Sequence, residues 1–268
     1  MILDATTRYF IPWRAVWNEG SMTTPCRMVF DASMGSKGSC SLNSILATGA
    51  NGMNKLVEVT TRWLTKPHAY HCDVSKMYNA LKLHKMYWCY HLYLWSDELD
   101  PDAEPVWKVM KTTFYGVSSS HNQAECGLRR TAELSKDKYP EAYEAIMNDT
   151  YVDDFLSGTK CRKDTDRVTD EIQVTLASGG YSMKPVVMSG EDPPQILSKD
   201  KESVKVAGMK WFPKGDFIQL DVKELNFAKK IRGKKSAKSK GIIPLALTKR
   251  ECVRVVSEIF DKSGKVAP

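Results

Sequence analysis

The sequence predicts an α+β fold, and three observations carry that prediction. Short apolar runs with strand spacing close on turn residues or aspartates, as in "CRMVFDAS" (26–33) and "AYHCDV" (69–74). Longer stretches between them repeat their apolar residues every three or four positions, the spacing of an amphipathic helix. Strands and helices are mixed without the regular strand–helix alternation that builds a parallel sheet.

In chain order, 26–33 reads as the first strand, "NKLVEVTTRWL" (54–64) as a helix and 69–74 as the second strand. "YWCYHLYLW" (87–95) and "VWKVMKTT" (106–113) read as a hairpin, joined by the Asp- and Pro-rich "SDELDPDAEP". The continuous apolar content of 87–95 predicts a buried strand. A Gly- and Ser-rich turn precedes a helix over 120–134. A second helix over 166–180 has Val168, Ile172 and Leu176 on one face and Gly179 as its stop. "SVKVAGMKWF" (203–212) and "DFIQLDV" (216–222) predict a final hairpin. "LTKRECVRVVSEIF" (247–260) predicts a helix whose Thr248 and Glu251 form a capping box.

The 268 residues are 42% hydrophobic and 26% charged, enough for one large domain or two modest ones. Seven cysteines, an odd number without a C-x-x-C pair, fit free thiols in a reducing compartment. His68, His71, Cys72, Cys89 and His91 have no standard zinc spacing. "MILDATTRYF" lacks the basic-then-apolar order of a signal peptide and no run is long enough to span a membrane, so an intracellular protein with no membrane partner is expected. The net charge is +7, and "KKIRGKKSAKSK" (229–240) holds seven basic residues and no acid. That stretch reads either as a solvated loop or as a phosphate-contacting segment, through Lys229, Lys230, Arg232, Lys234 and Lys235.

The chemistry concentrates at "TYVDDFLSG" (150–158), where Asp153 and Asp154 stand side by side within an apolar run. Burying either carboxylate is costly unless a cation compensates. Neighbouring strand residues point to opposite faces, so the pair acts together only at a sharp turn, the tip of a tight hairpin. A hard divalent cation with oxygen ligands is the economical partner, and it calls for another carboxylate. Asp73 is the candidate, at the end of an aromatic-rich strand and ahead of a short helical turn. Three carboxylates can hold two Mg²⁺ ions about 3.5–4 Å apart, an arrangement suited to nucleotidyl transfer.

Tyr-x-Asp-Asp is a short pattern, but its company is specific. "RMVFDAS", "DVSKMY", "TTFYGVSSS", "YVDDFLSG", "GGYSMK" and "VAGMKW" follow one another in an order that resembles the reverse transcriptase domain of the Bel/Pao class of long-terminal-repeat retrotransposons. The likeness runs from about residue 9 to the end. It implies a right-hand polymerase in which residues 1–48 and 82–116 form fingers and 49–81 and 117–221 form a palm. That palm would be a small antiparallel sheet backed by helices. Residues 222–268 would hold the basic loop and the start of a truncated thumb or connection.

The resemblance implies Asp73, Asp153 and Asp154 as catalytic metal ligands, with Val74 beside them, and two Mg²⁺ ions for which Mn²⁺ can substitute. It implies nucleotide contacts by Arg27, Tyr78, Tyr115, Gly116 and Lys184, with Tyr78 against the sugar 2′ position and Lys184 near the pyrophosphate. Gly208, Met209, Lys210 and Trp211 resemble a primer grip. The partners implied are an RNA or DNA template, a primer and deoxynucleoside triphosphates, in the cytoplasm, a virus-like particle or the nucleus. The chain departs from the family pattern at Asn18, where a basic residue is usual, and at His121 and Lys262, where proline is usual.

Two rivals share parts of this pattern. An RNA-directed RNA polymerase would more typically show Gly-Asp-Asp at the turn and a polar residue near Tyr78. A non-catalytic nucleic-acid-binding or assembly protein could derive from a retroelement palm that lost its other domains.

Overall fold

The computed structural model describes residues 8–18, 24–35, 38, 40–97, 102–198 and 200–220. The expected basic loop over 229–240 and the expected helix over 247–260 lie outside the described residues. Two strands, β1 (Trp13–Trp17) and β2 (Cys26–Phe30), form an antiparallel hairpin. A one-turn helix α1 (Leu42–Ile45) follows, then α2 (Leu56–Leu64) and β3 (His68–Ser75). Short 3₁₀ turns over Met77–Ala80 and Lys85–Tyr90 lead into the antiparallel pair β4 (Leu92–Trp95) and β5 (Val106–Val109). Helices α3 (Ser120–Ser135) and α4 (Pro140–Asn148) precede a tight hairpin of β6 (Thr150–Tyr151) and β7 (Asp154–Thr159). Helix α5 (Arg162–Ser178), the two-residue strands β8 (Ser182–Met183) and β9 (Val187–Met188), and the meander β10 (Val204–Val206), β11 (Met209–Phe212) and β12 (Phe217–Leu220) complete the described chain.

The main sheet has the order β6-β7-β3-β8, with β9 also paired to β3, and every pairing is antiparallel. Strand β3 is its centre, and its side chains alternate. Tyr70, Cys72 and Val74 enter one core with Phe155, the Ala124–Leu128–Ala132 face of α3, and Val168, Ile172 and Leu176 of α5. Ala69, on the opposite face, joins Leu156 and Val187 in a second core with Leu56, Val59 and Trp63 of α2 and Trp211 of β11. A third core around Ile11, Phe30, Leu42, Tyr90 and Phe114 holds the β1–β2 hairpin to the β4 region.

Polar groups at the joints are paired. Asp149, buried at the end of α4, accepts from Arg62 Nε of α2 at 2.9 Å and from Ser157 Oγ of β7 at 2.6 Å. Three elements are thereby tied at one carboxylate, and an apolar substitute there would leave Arg62 Nε and Ser157 Oγ without this acceptor.

The helices over 54–64, 120–134 and 166–180 form as expected, although α5 starts four residues early at Arg162. The expected pairing of 87–95 with 106–113 also forms, but 87–95 is not one buried strand. Its first part is a 3₁₀ turn, opened by the His84 ring accepting from Met86 N and held by Trp88 Nε1 donating to Leu83 O at 3.1 Å. Tyr87 and Leu94 are exposed. Aromatic content without period-2 alternation misled the sequence reading there. Helix α4 was not foreseen, despite Pro140 at its first turn and the inward residues Ala142, Ala145 and Ile146. Strand β1 was missed as well. All six described cysteines are free. Among the described residues no helix is long and apolar enough to cross a membrane.

The register of α5 gives a direct test. Ile172→Ala, which empties a fully buried position, is expected to cost about 2–5 kcal/mol. Val174→Ala, two residues away on the exposed side, should cost under about 0.5 kcal/mol. Urea melts of both variants would read the difference, and equal losses would mean the helix is turned otherwise.

Candidate active site

The β6–β7 hairpin turns through Val152 and Asp153, with Tyr151 opposite Asp154. Val152 sits at φ 58, a left-handed conformation that a β-branched residue adopts only under constraint. That turn brings adjacent aspartates to the same end of the sheet, as the hairpin reading requires. Asp73 lies directly across from Asp154 in the β3–β7 ladder, and Val74 N donates to Asp153 O at 2.7 Å. The backbone therefore gathers Asp73, Val74, Asp153 and Asp154 at one edge.

The side chains are less tightly gathered. Lys184, just after β8, donates its main-chain N–H to Asp73 O at 2.9 Å and places Nζ 3.0 Å from Asp73 Oδ1. His71 Nε2 lies 3.0 Å from Asp154 Oδ1. Among the described residues no group of three His, Cys, Asp or Glu side chains is close enough to hold a metal ion. Like-charged carboxylates repel, and each outer aspartate has turned to a nitrogen partner.

Electrostatics still records their proximity. Partial burial, with Asp73 and Asp154 nearby, pushes the Asp153 carboxyl up to about 6. Burial raises Asp73 too, while the Lys184 ammonium works against that rise. A set of oxygen donors that resists ionising together has the chemistry a hard divalent cation would satisfy. Asp73 would have to release Lys184 for it, whereas Asp154 keeps Oδ2 outside its His71 contact.

Beside the carboxylates stand two tyrosines. Tyr78, buried in the 3₁₀ turn after β3, meets Tyr115 edge to face with ring centroids 4.3 Å apart. Burial and the Asp153 charge raise both phenols, and Arg27 of β2 acts on Tyr115 in the opposite direction. Gly116 has φ 107, and a Cβ there would overlap the Phe30 carbonyl of β2. Asn43 of α1 secures the loop, donating Nδ2 to Gly116 O at 2.9 Å and accepting from Ser118 N at 2.8 Å. Thus Tyr78 and Tyr115, from separate elements, meet each other and feel the Asp153 charge, and the Arg27 charge reaches Tyr115.

The segment 208–211 is placed differently. Ala207 and Gly208, both at positive φ, make the two-residue turn between β10 and β11. Met209 and Trp211 point into the core, with Trp211 packed edge to face on Trp63 at 5.0 Å. Only the turn's main chain and Lys210 are left for an outside strand. Lys229, Lys230, Arg232, Lys234 and Lys235 lie outside the described residues. Two residues near the site were not foreseen in these roles. Asn43 carries no sequence signal, whereas His71 does, since period 2 places it on the same strand face as Asp73.

Fold and site together define a mixed helix and sheet chain with small antiparallel sheets, of reverse-transcriptase-like fold. In particular, the chain is similar to the foamy viral protease-reverse transcriptase solved in complex with an RNA/DNA hybrid, at 14% identity and TM-score 0.50, over 75% of this chain and 22% of that one. The selenomethionine-labelled CSH mutant of the prototype foamy virus protease-reverse transcriptase matches at 13% identity and TM-score 0.48, over 65% and 20%. The native prototype foamy virus protein matches at 15% identity and TM-score 0.45, over 65% and 20%. The chain spans about a fifth of the length of these proteins. No family model and no curated protein matches it.

The crowding of carboxylates predicts a stability cost. Because the folded Asp153 carboxyl titrates near 6, above its ordinary 3.8, folding is favoured below about pH 4 and loses that contribution as pH rises through 6. In metal-free protein, Asp153→Asn is therefore expected to be more stable than wild type at pH 7.5, by about 1–2 kcal/mol once solvent screening is allowed for. The gap should close as pH falls towards 4. Denaturant melts across that range check it, and a gap independent of pH would mean that charge is not its cause.

Proposed function

We propose that the chain is the fingers-and-palm part of a retroelement RNA-directed DNA polymerase, resembling the Bel/Pao class, that extends a primer 3′-end with deoxynucleoside triphosphates. The observation that carries this reading is the meeting of Asp73, Asp153 and Asp154 at one sheet edge in a reverse-transcriptase-like fold. Residues 1–48 and 82–116 would be the fingers and 49–81 and 117–221 the palm, with 222–268 leading towards a thumb or connection. The partners would be an RNA or DNA template, a primer and the incoming nucleotide.

Asp73, Asp153 and Asp154 would hold two Mg²⁺ ions, or Mn²⁺ in their place, with the Val74 main chain beside them. When bound, such ions activate the primer 3′-hydroxyl and neutralise charge building on the leaving pyrophosphate. Lys184, released from Asp73, would face that pyrophosphate as a proton donor. Arg27 of β2 would grip the triphosphate, since a guanidinium pairs well with phosphate oxygens. Tyr78 would lie under the sugar, and Gly116 would keep the Tyr115 loop close to β2. Gly208 and Lys210 would contact the primer backbone, while Met209 and Trp211 support the turn from inside. The basic residues from Lys229 to Lys235 would add phosphate contacts.

A second reading has one observation in its favour. With Lys184 on Asp73 and His71 on Asp154, two of the three carboxylates already have nitrogen partners, as would suit a non-catalytic nucleic-acid-binding or assembly protein. Primer extension separates the two. Wild-type protein with Mg²⁺ or Mn²⁺ should extend a template-primer, and Asp73→Asn or Asp153→Asn should abolish extension while leaving template-primer binding nearly intact. Wild type that binds but never extends would select the second reading, and a variant extending at near wild-type rate would remove that aspartate from the site.

Sugar choice tests Tyr78. The proposed metal site would act only on phosphate and hydroxyl oxygens common to ribo- and deoxynucleotides, so discrimination has to come from shape. Tyr78→Ala is expected to relax the preference for deoxynucleotides by about 10–200-fold in the ratio of kcat/KM for the two sugar forms. A fixed ratio with both activities lowered would assign Tyr78 to packing alone.

A further inference from the structure

We infer that His71 is a positioning residue for Asp154. Its place in the sheet makes it conspicuous. His71 pairs with Leu156 on one side and Val187 on the other, both fully buried and both part of an apolar core. An apolar side chain is the ordinary occupant of such a position, and an imidazole there needs a hydrogen-bonding reason. His71 is 7% exposed. Its Nε2 lies 3.0 Å from Asp154 Oδ1, and its buried Nδ1 has no hydrogen-bond partner.

With the ring neutral and Asp154 ionised, this geometry selects one tautomer. An ionised carboxylate only accepts, so Nε2 carries the proton and donates it, and Nδ1 is left as a bare acceptor. The ring keeps one nitrogen unsatisfied for the sake of the other. Asp154 opens β7 directly after the strained Val152 turn, where its side chain could swing between rotamers. The bond from β3 holds it in one of them through Oδ1 and leaves Oδ2 out of that contact. The strand alternation that points Asp73 at the site points His71 at the back of Asp154. Outer partners of this sort orient a carboxylate for its ligand. The inference rests on the proposed polymerase reading only for its kinetic consequence.

The test therefore has two arms. In metal-free protein, side-chain ¹H–¹⁵N correlation spectra of the histidines should show His71, assigned by its loss in His71→Gln, as an Nε2–H tautomer with a slowly exchanging proton. Asp154→Ala should speed that exchange at least about tenfold. An Nδ1–H tautomer, or exchange indifferent to Asp154→Ala, overturns the pair. In primer extension, His71→Leu should lower kcat by about 10–100-fold, and His71→Gln, whose amide can donate in place of Nε2, should regain most of that. KM for the nucleotide should move by less than about threefold in both. On an Asp154→Ala background, His71→Leu should cost less than about twofold further, because the two act through one bond. Equal losses in the leucine and glutamine variants, or the full loss persisting without Asp154, would make His71 a structural residue; thermal melts and template-primer binding identify a variant that has unfolded. Wild type that shows the tautomer but extends no primer would keep the pair and overturn the polymerase reading instead.

Discussion

The β3–β7 ladder is the constraint on which the site depends. Its register sets Asp73 opposite Asp154, and a slip of one residue would send Asp73 to the opposite face, into the core that Tyr70, Cys72 and Val74 fill. Apolar packing holds that register. Phe155 faces the helices and Leu156 faces α2, so each β7 residue next to the turn is committed to a different core. Neither can exchange sides without burying a carboxylate or exposing an aromatic ring. The polar edge therefore inherits its geometry from two hydrophobic cores rather than from its own interactions.

That inheritance explains how the edge tolerates so much unfavourable energy. It contains three neighbouring carboxylates, one of them pushed up to about 6, and a β-branched residue in left-handed backbone. Strain of this kind persists where surrounding structure over-determines it and tends to mark functional positions. Lys184, from just after β8, and His71, from within β3 itself, offset part of the cost. Lys184 sits where a divalent cation would otherwise compensate the Asp73 charge.

Much of this was legible in the sequence, for definable reasons. The hairpin turn at Asp153 was inferable because two adjacent acids inside an apolar run have few other uses, and Asp73 because its strand ends where a side chain can reach a neighbour. Helix α5 declared itself through Val168, Ile172 and Leu176 at a spacing of four, all buried as that spacing demands. The run from Tyr87 to Trp95 failed because its apolar residues do not alternate, and a 3₁₀ turn held by Trp88 and His84 satisfied its backbone locally. Asn43 was invisible because its partners, Gly116 and Ser118, are more than seventy residues away. Met209 and Trp211 share a motif with Gly208 and Lys210, yet strand alternation sends them inward. A motif names positions, and the pleat decides which of them reach the outside.

The two halves of the site are joined by different kinds of bond, and this bears on how it would work. The carboxylates are fixed by strand pairing. The tyrosine side is held together by contacts of another kind: the edge-to-face Tyr78–Tyr115 pair, Asn43 bridging to the Gly116 loop, and that loop's close approach to Phe30. Such contacts slide more readily than a ladder breaks, since a few ring and side-chain hydrogen bonds hold less than a continuous row of backbone pairs beside a core. The elements that carry Tyr78 and Tyr115 can then adjust against the carboxylates without disturbing the β3–β7 register. Gly116 makes that arrangement possible, because any side chain there would meet the Phe30 carbonyl and force the Tyr115 loop off β2.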